Sequence, residues 1–398
     1  MNNQTTPVHI RLWHHEFWLL VIADLLLTMS VYMLIPTFPQ WLMGEQQLTA
    51  QETGLSMAAF ALGLYAFGPS CSWLVQNYRR NVVCLWAIAA LALNVIALGY
   101  FSTLTSFPRA LIHRVTLGAA FGLAQMVLTS TLIIDTCESH QRTEANFGAA
   151  WFSRFALSLG PLAGLALAHL PLNTYLEPLG CPFSQMTPIL FCSGILALVS
   201  LVLIYRVKFP FRTPEEGVSA VSLDRFFLPS GCVLFVNLLL ISIVVGMALT
   251  HTFSLVFFAL MMSGFLMALL AQRFVFRNAE LESEVLSGLI LLISALLVLM
   301  IYPQSPVAPL LMGLAVGIVS SRFLLFFVKL SRHCQRGTSQ STYFLGWESG
   351  LALGLGLGYG LFYDHRNLLF GTCLTITVVA LVMYHFLTHQ WFMKHKNR

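Results

Sequence analysis

A chain of 398 residues with 57% apolar and only 9% charged positions lies far from the soluble globular class, in which roughly a quarter of residues are charged. It is built for lipid, and at roughly 20 apolar residues per crossing its length accommodates about a dozen crossings. The net charge of +5 does not point to nucleic acid, because the basic residues are dispersed at the ends of apolar runs, where they report topology.

The first apolar run, Phe17 to Pro36, is too long for the hydrophobic part of a secretory leader and has no small-residue cleavage site behind it. It is expected to be a retained helix. Apolar runs between polar breaks then predict spans over 16–36, 53–75, 82–102, 108–134, 145–170 and 187–207. After a polar stretch from Lys208 to Arg225, six more follow over 227–249, 253–272, 284–302, 307–330, 339–362 and 367–389. The expected fold is an all-α membrane protein of twelve transmembrane helices in two six-helix bundles. Residues 1–207 and 227–398 form the bundles and 208–226 the linker. Cysteines 71, 84, 137, 181, 192, 232, 334 and 373 sit mostly inside apolar runs with no CxxC, and only Cys181 falls clearly in an external loop. Neither a disulfide nor a metal site is expected.

The halves share landmarks at a nearly constant offset. Leu74-Val75-Gln76-Asn77-Tyr78-Arg79-Arg80-Asn81 is answered by Leu270-Ala271-Gln272-Arg273-Phe274-Val275-Phe276-Arg277-Asn278. Gly118 and Gly122 return as Gly313 and Gly317, and Trp151 and Gly160 return as Trp347 and Gly356. Such a repeat in a membrane chain points to a duplicated six-helix unit and to a transporter.

Of the 21 lysines and arginines, Arg109 and Arg366 fall at one end of the spans, Arg114, Arg154 and Arg322 fall within them, and all the others gather at the opposite end. Positive loops stay in the cytoplasm, so both termini are expected there. A bacterial inner (cell) membrane is the expected location.

Several segments are similar to those of the major facilitator superfamily, and the resemblance covers nearly the whole chain. Pro36-Thr37-Phe38-Pro39-Gln40-Trp41-Leu42 resembles the proline-rich exit of its first helix. Arg114-x-x-x-Gly118-x-x-x-Gly122 resembles the arginine and small-residue motif of its fourth. Gly160-Pro161-Leu162-Ala163-Gly164 resembles the antiporter motif of the fifth, and Arg336-Gly337-Thr338 with Trp347-Glu348-Ser349-Gly350 the entry and acidic core of the eleventh. The pattern is most similar to drug or metabolite:proton antiporters of the arabinose-efflux-permease-like kind. Gln76 and Asn77 depart from the family's aspartate and arginine after the second helix, Leu117 replaces a glutamine, and Ala156 and Leu165 replace glycines. The resemblance implies two bundles rocking around a midplane site, usually in a monomer. It also implies that Asp135 pairs with Arg79 or Arg80 as a cytoplasmic gate, for which a solvated, weakly coupled charge pair is the alternative.

Asp24 lies eight residues into the first span, roughly 12 Å from its cytoplasmic edge. A lone aspartate there costs roughly 3 kcal/mol or more, so it must be protonated, paired or facing a wet cavity. Arg114, entering from outside, reaches a depth compatible with a pair to Asp24, unless it snorkels outward with Arg109 and His113. Glu348 and Arg154 lie at a level close to Asp24, roughly 13 Å from the cytoplasmic edge. Asp24, Arg114, Arg154 and Glu348 are therefore expected to meet in one polar chamber. Arg322 lies lower and reads as a gate or interface residue. Asn237 and Trp347 are further cavity candidates, with a helix-to-helix hydrogen bond and plain packing as their alternatives.

No phosphate-binding glycine loop, metal-ligand spacing or nucleophile–base pattern is present, so the chain is expected to be neither an enzyme nor a cofactor protein. The expected function is proton-coupled secondary transport of a small molecule, with Asp24 and Glu348 carrying the proton and export of an amphipathic compound as the direction. Membrane lipid is the other expected partner. Transport of an anionic metabolite or sugar is the alternative, as is a non-transporting receptor or lipid scramblase on the same scaffold.

Overall fold

A computed structural model describes residues 12–101, 104, 106–138, 140–170, 184–209, 219–252, 254–276 and 279–396. Among them no strand occurs. Cys181, much of the linker and the basic residues Arg11, Arg212, Arg277 and Arg398 lie outside the described residues, and the other seven cysteines are free thiols. The first bundle comprises α1 (His15–Tyr32), the short α2 (Phe38–Gly44), α3 (Ala50–Tyr65), α4 (Cys71–Asn77), α5 (Arg80–Phe101), α6 (Phe107–Asp135), α7 (Arg142–His169) and α8 (Thr187–Arg206). The second comprises α9 (Cys232–Leu249), α10 (Leu255–Phe274), α11 (Leu281–Ile301), α12 (Val307–Leu330), α13 (Arg336–Phe362) and α14 (Arg366–His395). With α3 and α4 sharing one crossing, the twelve predicted spans are accounted for.

Two spans predicted as continuous are interrupted, and proline is the reason. A proline ring clashes with the carbonyl four residues earlier and offers no N–H. Thus α1 stops at Tyr32, four residues before Pro36, and α3 stops at Tyr65, four before Pro69. Pro161, by contrast, is retained inside α7. At its start α3 is fixed by a capping box, in which Thr49 Oγ1 accepts from Glu52 N at 3.2 Å and Glu52 accepts from Thr49 N at 2.9 Å.

Among the described residues, ten helices are long and apolar enough to cross a bilayer. The exceptions are informative. Helix α3 has 16 residues and borrows α4 to finish its crossing. Helix α13 has 27 residues but a polar first half, Thr338-Ser339-Gln340-Ser341-Thr342, and is buried along nearly its whole length against α3 and α9. Leu62, Trp86, Leu93, Ile195 and Ile290 instead point outward, the surface expected of a chain solvated by lipid.

The repeated glycines have repeated duties. A Cβ on Gly118 of α6 would sit 3.2 Å from Gly63 Cα of α3, and a Cβ on Gly313 of α12 would sit 3.2 Å from Gly264 Cα of α10. The fourth crossing of each bundle thus packs backbone to backbone on the second.

The two bundles approach each other closely near both ends of their interface. At the end remote from the basic residues, a Cβ on Gly54 of α3 would lie 2.5 Å from Gly356 O and from Gly360 Cα of α13. At the basic end, α6 widens into a π turn over Leu128–Leu132, where Thr129 Oγ1 donates to Gln125 O at 2.8 Å. A Cβ on Gly337 would lie 2.5 Å from Ser130 O of that turn. Beside it Asp224 accepts from Ser72 at 3.3 Å and from Thr338 at 3.1 Å, while Arg225 N and Leu228 N each donate to a threonine of α13 at 2.8 Å. The approach to α9 is stapled between α4 and α13.

Candidate functional site

Between these contacts lie two small central cavities. The larger, about 40 Å³, is lined from α1 by Thr28 and Tyr32, from α6 by Gln125 and Thr129, from α7 by Ser153 and Arg154, and from α13 by Gln340, Tyr343, Phe344, Trp347 and Glu348. The smaller, about 20 Å³, is lined by Tyr32, Phe60, Arg114 and Glu348 together with apolar residues of α1 and α13. Each helix contributes at three- or four-residue steps, as a single helical face must. Thr28 and Tyr32 follow Asp24 at four and eight residues, and Phe344 and Glu348 follow Gln340 likewise.

Tyr32 and Glu348 belong to both cavities, and they touch. The tyrosine hydroxyl donates to Glu348 Oε1 at 2.5 Å. This bond joins α1 of the first bundle to α13 of the second and separates the chamber holding Arg154 from the one holding Arg114. Tyr65 of α3 adds a second link, 2.9 Å from Ser349 Oγ.

Asp24 is fully buried beside the larger cavity. Its carboxyl accepts from Gln125 Nε2 at 2.8 Å and from Ser153 Oγ at 2.5 Å. Gln125 Nε2 also donates to Thr28 Oγ1 at 2.9 Å, so α1, α6 and α7 meet in one polar knot. Neither Asp24 nor Glu348 forms an ion pair among the described residues.

The expected Asp24–Arg114 pair is therefore absent. Counted from the basic end, Asp24 is nine residues into α1, roughly 14 Å, and Gln125 is ten residues from Asp135 at the end of α6, roughly 15 Å. Arg114 is 21 residues from that end, roughly 32 Å, three turns too far. The expectation counted Arg114 from the outer edge and Asp24 from the cytoplasmic edge, and the length of α6 keeps those two levels apart. Arg114 rests instead on the rings of Phe38 at 5.3 Å and Phe60 at 4.9 Å, where cation–π attraction replaces a counter-ion.

The other expected residues divide as follows. Arg154, Trp347 and Glu348 share the larger cavity. Asn237 does not line either cavity; it donates to Ala380 O at 3.0 Å and Thr388 Oγ1 at 3.4 Å, tying α9 to α14. At the basic end Arg80 is paired with Asp135 and Arg322 with Glu284. No ion pair to Asp135 from Arg79 is found among the described residues. Tyr32, Gln125, Ser153 and Gln340 were not anticipated from sequence. Tyr32 and Gln340 carried a signal in standing two four-residue steps from Asp24 and Glu348, and Ser153 in standing beside Arg154; Gln125 shares no such spacing.

A sequence model described as Major Facilitator Superfamily matches residues 20–355. No curated protein sequence matches the chain. Among solved structures, a bacterial homolog of the human lysosomal transporter Spinster, inward-facing and unoccupied, aligns with a TM-score of 0.71 at 16% identity, over 96% of this chain and 98% of that one. The xylose transporter XylE from E. coli, inward open, gives 0.67 at 14% identity, over 93% and 95%. The nucleoside transporter NupG gives 0.64 at 10% identity, over 96% and 100%. At these identities the structures speak for the fold alone. With the match over residues 20–355, two six-helix bundles and a polar cavity between them, the chain belongs to the Major Facilitator Superfamily and is a multi-pass membrane transporter rather than an enzyme.

Proposed function

We propose that this transporter is proton-coupled and moves a small molecule by alternating access, with Glu348 and Asp24 as the proton-carrying groups. The observation that supports this is the Tyr32–Glu348 hydrogen bond, in which a carboxyl buried between the bundles is held by a neutral hydroxyl and by no cation. An ionised acid so placed costs several kcal/mol, while its protonated form costs far less. Proton uptake and release at Glu348 therefore bear directly on the free energy of closing the bundles around it. Asp24, held by Ser153 and Gln125, is placed to do the same within the first bundle.

In this reading residues 1–207 and 227–398 rock about the cavity, joined by 208–226, and the protein acts as a monomer. Both termini are cytoplasmic, in a bacterial inner membrane, and the Arg80–Asp135 and Arg322–Glu284 pairs belong to the cytoplasmic gate. Export of an amphipathic compound is the direction that the Gly160-Pro161 motif and the aromatic wall of Tyr32, Tyr343, Phe344 and Trp347 favour. A counterflow screen in proteoliposomes with an imposed pH gradient tests the reading. Glu348→Gln and Asp24→Asn are each expected to keep downhill exchange and lose the response to the gradient; normal proton drive in both variants would refute it.

A further inference from the structure

Arg154 is 5% exposed, and its Nε, Nη1 and Nη2 have no hydrogen-bond partner among the described residues. Trp151 covers one face of its guanidinium at 5.0 Å, but a ring face does not satisfy the donors along the edge of the fork. Gln340, 4% exposed on the facing helix α13, likewise has an unpartnered Oε1. Both residues line the larger cavity. Buried polar groups are hydrogen-bonded in more than about nine cases in ten, and a buried, uncompensated cation is the costliest exception. Glu348 lines the same cavity but accepts from Tyr32 and makes no ion pair with Arg154. The protein thus brings a planar five-donor fork to the transport cavity and offers it no anion.

We propose that Arg154 is the anion-recognition group of the substrate site, and that the substrate is a small organic carboxylate with a flat apolar body and a hydrogen-bond donor directed at Gln340. The carboxylate matches the two parallel N–H groups of the fork. Tyr343, Phe344 and Trp347 supply the flat apolar walls. One ligand then engages α7 of the first bundle and α13 of the second, and the cavity of about 40 Å³ must widen to admit it. This deepens the transport reading and rests on it for the location of the site.

The experiment measures thermal unfolding of the purified full chain in nanodiscs with three probes of one shape: benzoate, neutral benzamide and cationic benzylamine. Benzoate is expected to raise the midpoint most and benzylamine least. Arg154→Gln should weaken benzoate at least ten-fold, Arg154→Lys should restore part of that loss, and Gln340→Leu should weaken the matched 4-hydroxybenzoate a few-fold. The assignment is overturned if benzamide equals benzoate on the wild type, if chloride or inorganic phosphate stabilises as well as benzoate, or if Arg154→Gln binds benzoate like the wild type. Should Arg154→Gln fail to fold, wild-type affinity in both Arg154→Lys and Gln340→Leu overturns it. Loss of proton drive in Glu348→Gln beside any of these negative results leaves transport standing and removes only the anion site. Intact proton drive with benzoate selectivity does the reverse.

Discussion

Halfway through the bundle, Asp24 and Glu348 are held by Ser153, Gln125 and Tyr32, hydroxyls and an amide; at the basic end, Asp135 and Glu284 are held by Arg80 and Arg322. The same chemical group is given two environments. An arginine partner fixes a carboxylate in its charged form, and removing either member leaves the other charge stranded. A neutral donor stabilises the anion less, so a proton can come and go without orphaning a cation. The end acids are thus suited to holding helices together and the midplane acids to titrating. The end pairs also differ in polarity. In the first bundle the base stands on the third crossing and the acid on the fourth, while in the second bundle the acid stands on the third and the base on the fourth. The two bundles share the joint with its charges exchanged.

The comparison is most directly broken by exchanging acid for amide at both levels. Glu348→Gln removes the proposed proton-carrying group without stranding a cation. It should abolish gradient-driven transport while changing the unfolding midpoint little, and a large loss of stability would place a hidden counter-charge beside it. Arg322→Gln is expected to do the opposite. It leaves Glu284, 1% exposed, buried and unpaired, at a cost of about 3–5 kcal/mol read by denaturation in detergent. Adding Glu284→Gln should recover most of that loss. A smaller effect is expected from Tyr32→Phe, which removes one hydrogen bond between the bundles, worth about 1.5–3 kcal/mol when the acceptor is charged. The readout is increased labelling of a cysteine placed at Ser153, and unchanged labelling would show that the bond does not hold the bundles shut. Arg80→Gln should cost less than Arg322→Gln, because Asp135 is 9% exposed where Glu284 is 1% exposed. If it matches Arg322→Gln, the two end pairs are equally sheltered.

Much of the architecture was legible in the sequence because bilayer thickness fixes helix length and the glycine repeat fixes which crossings touch. Helix ends were legible in principle, since Pro36 and Pro69 sit four residues beyond the last helical residue of α1 and α3. The site was half legible. Glu348, Trp347 and Arg154 were found because charge and indole stand out in an apolar run. Tyr32 and Gln125 were not, since a tyrosine in such a run also suits packing, and Gln125 lies two turns beyond the position where the family's helix pattern places its glutamine. Arg114 was set at the wrong level because its depth was counted from the outer edge and that of Asp24 from the cytoplasmic edge, although α6 runs for 29 residues. Asn237 illustrates a real degeneracy: an amide in a membrane helix satisfies a neighbouring carbonyl as readily as a ligand.

The polarity and burial of α13 reach beyond transport to biogenesis. A segment rich in hydroxyls, with a glutamine and a glutamate in its first half, partitions poorly into bilayer by itself. Its partners α3 and α9 are made before it, so an acceptor groove already exists when it emerges. Correct insertion of the eleventh crossing therefore depends on prior assembly of its neighbours, and a defect at Gly54 or Gly246, whose backbones it abuts, should surface first as misinserted, degraded protein rather than as a slow carrier.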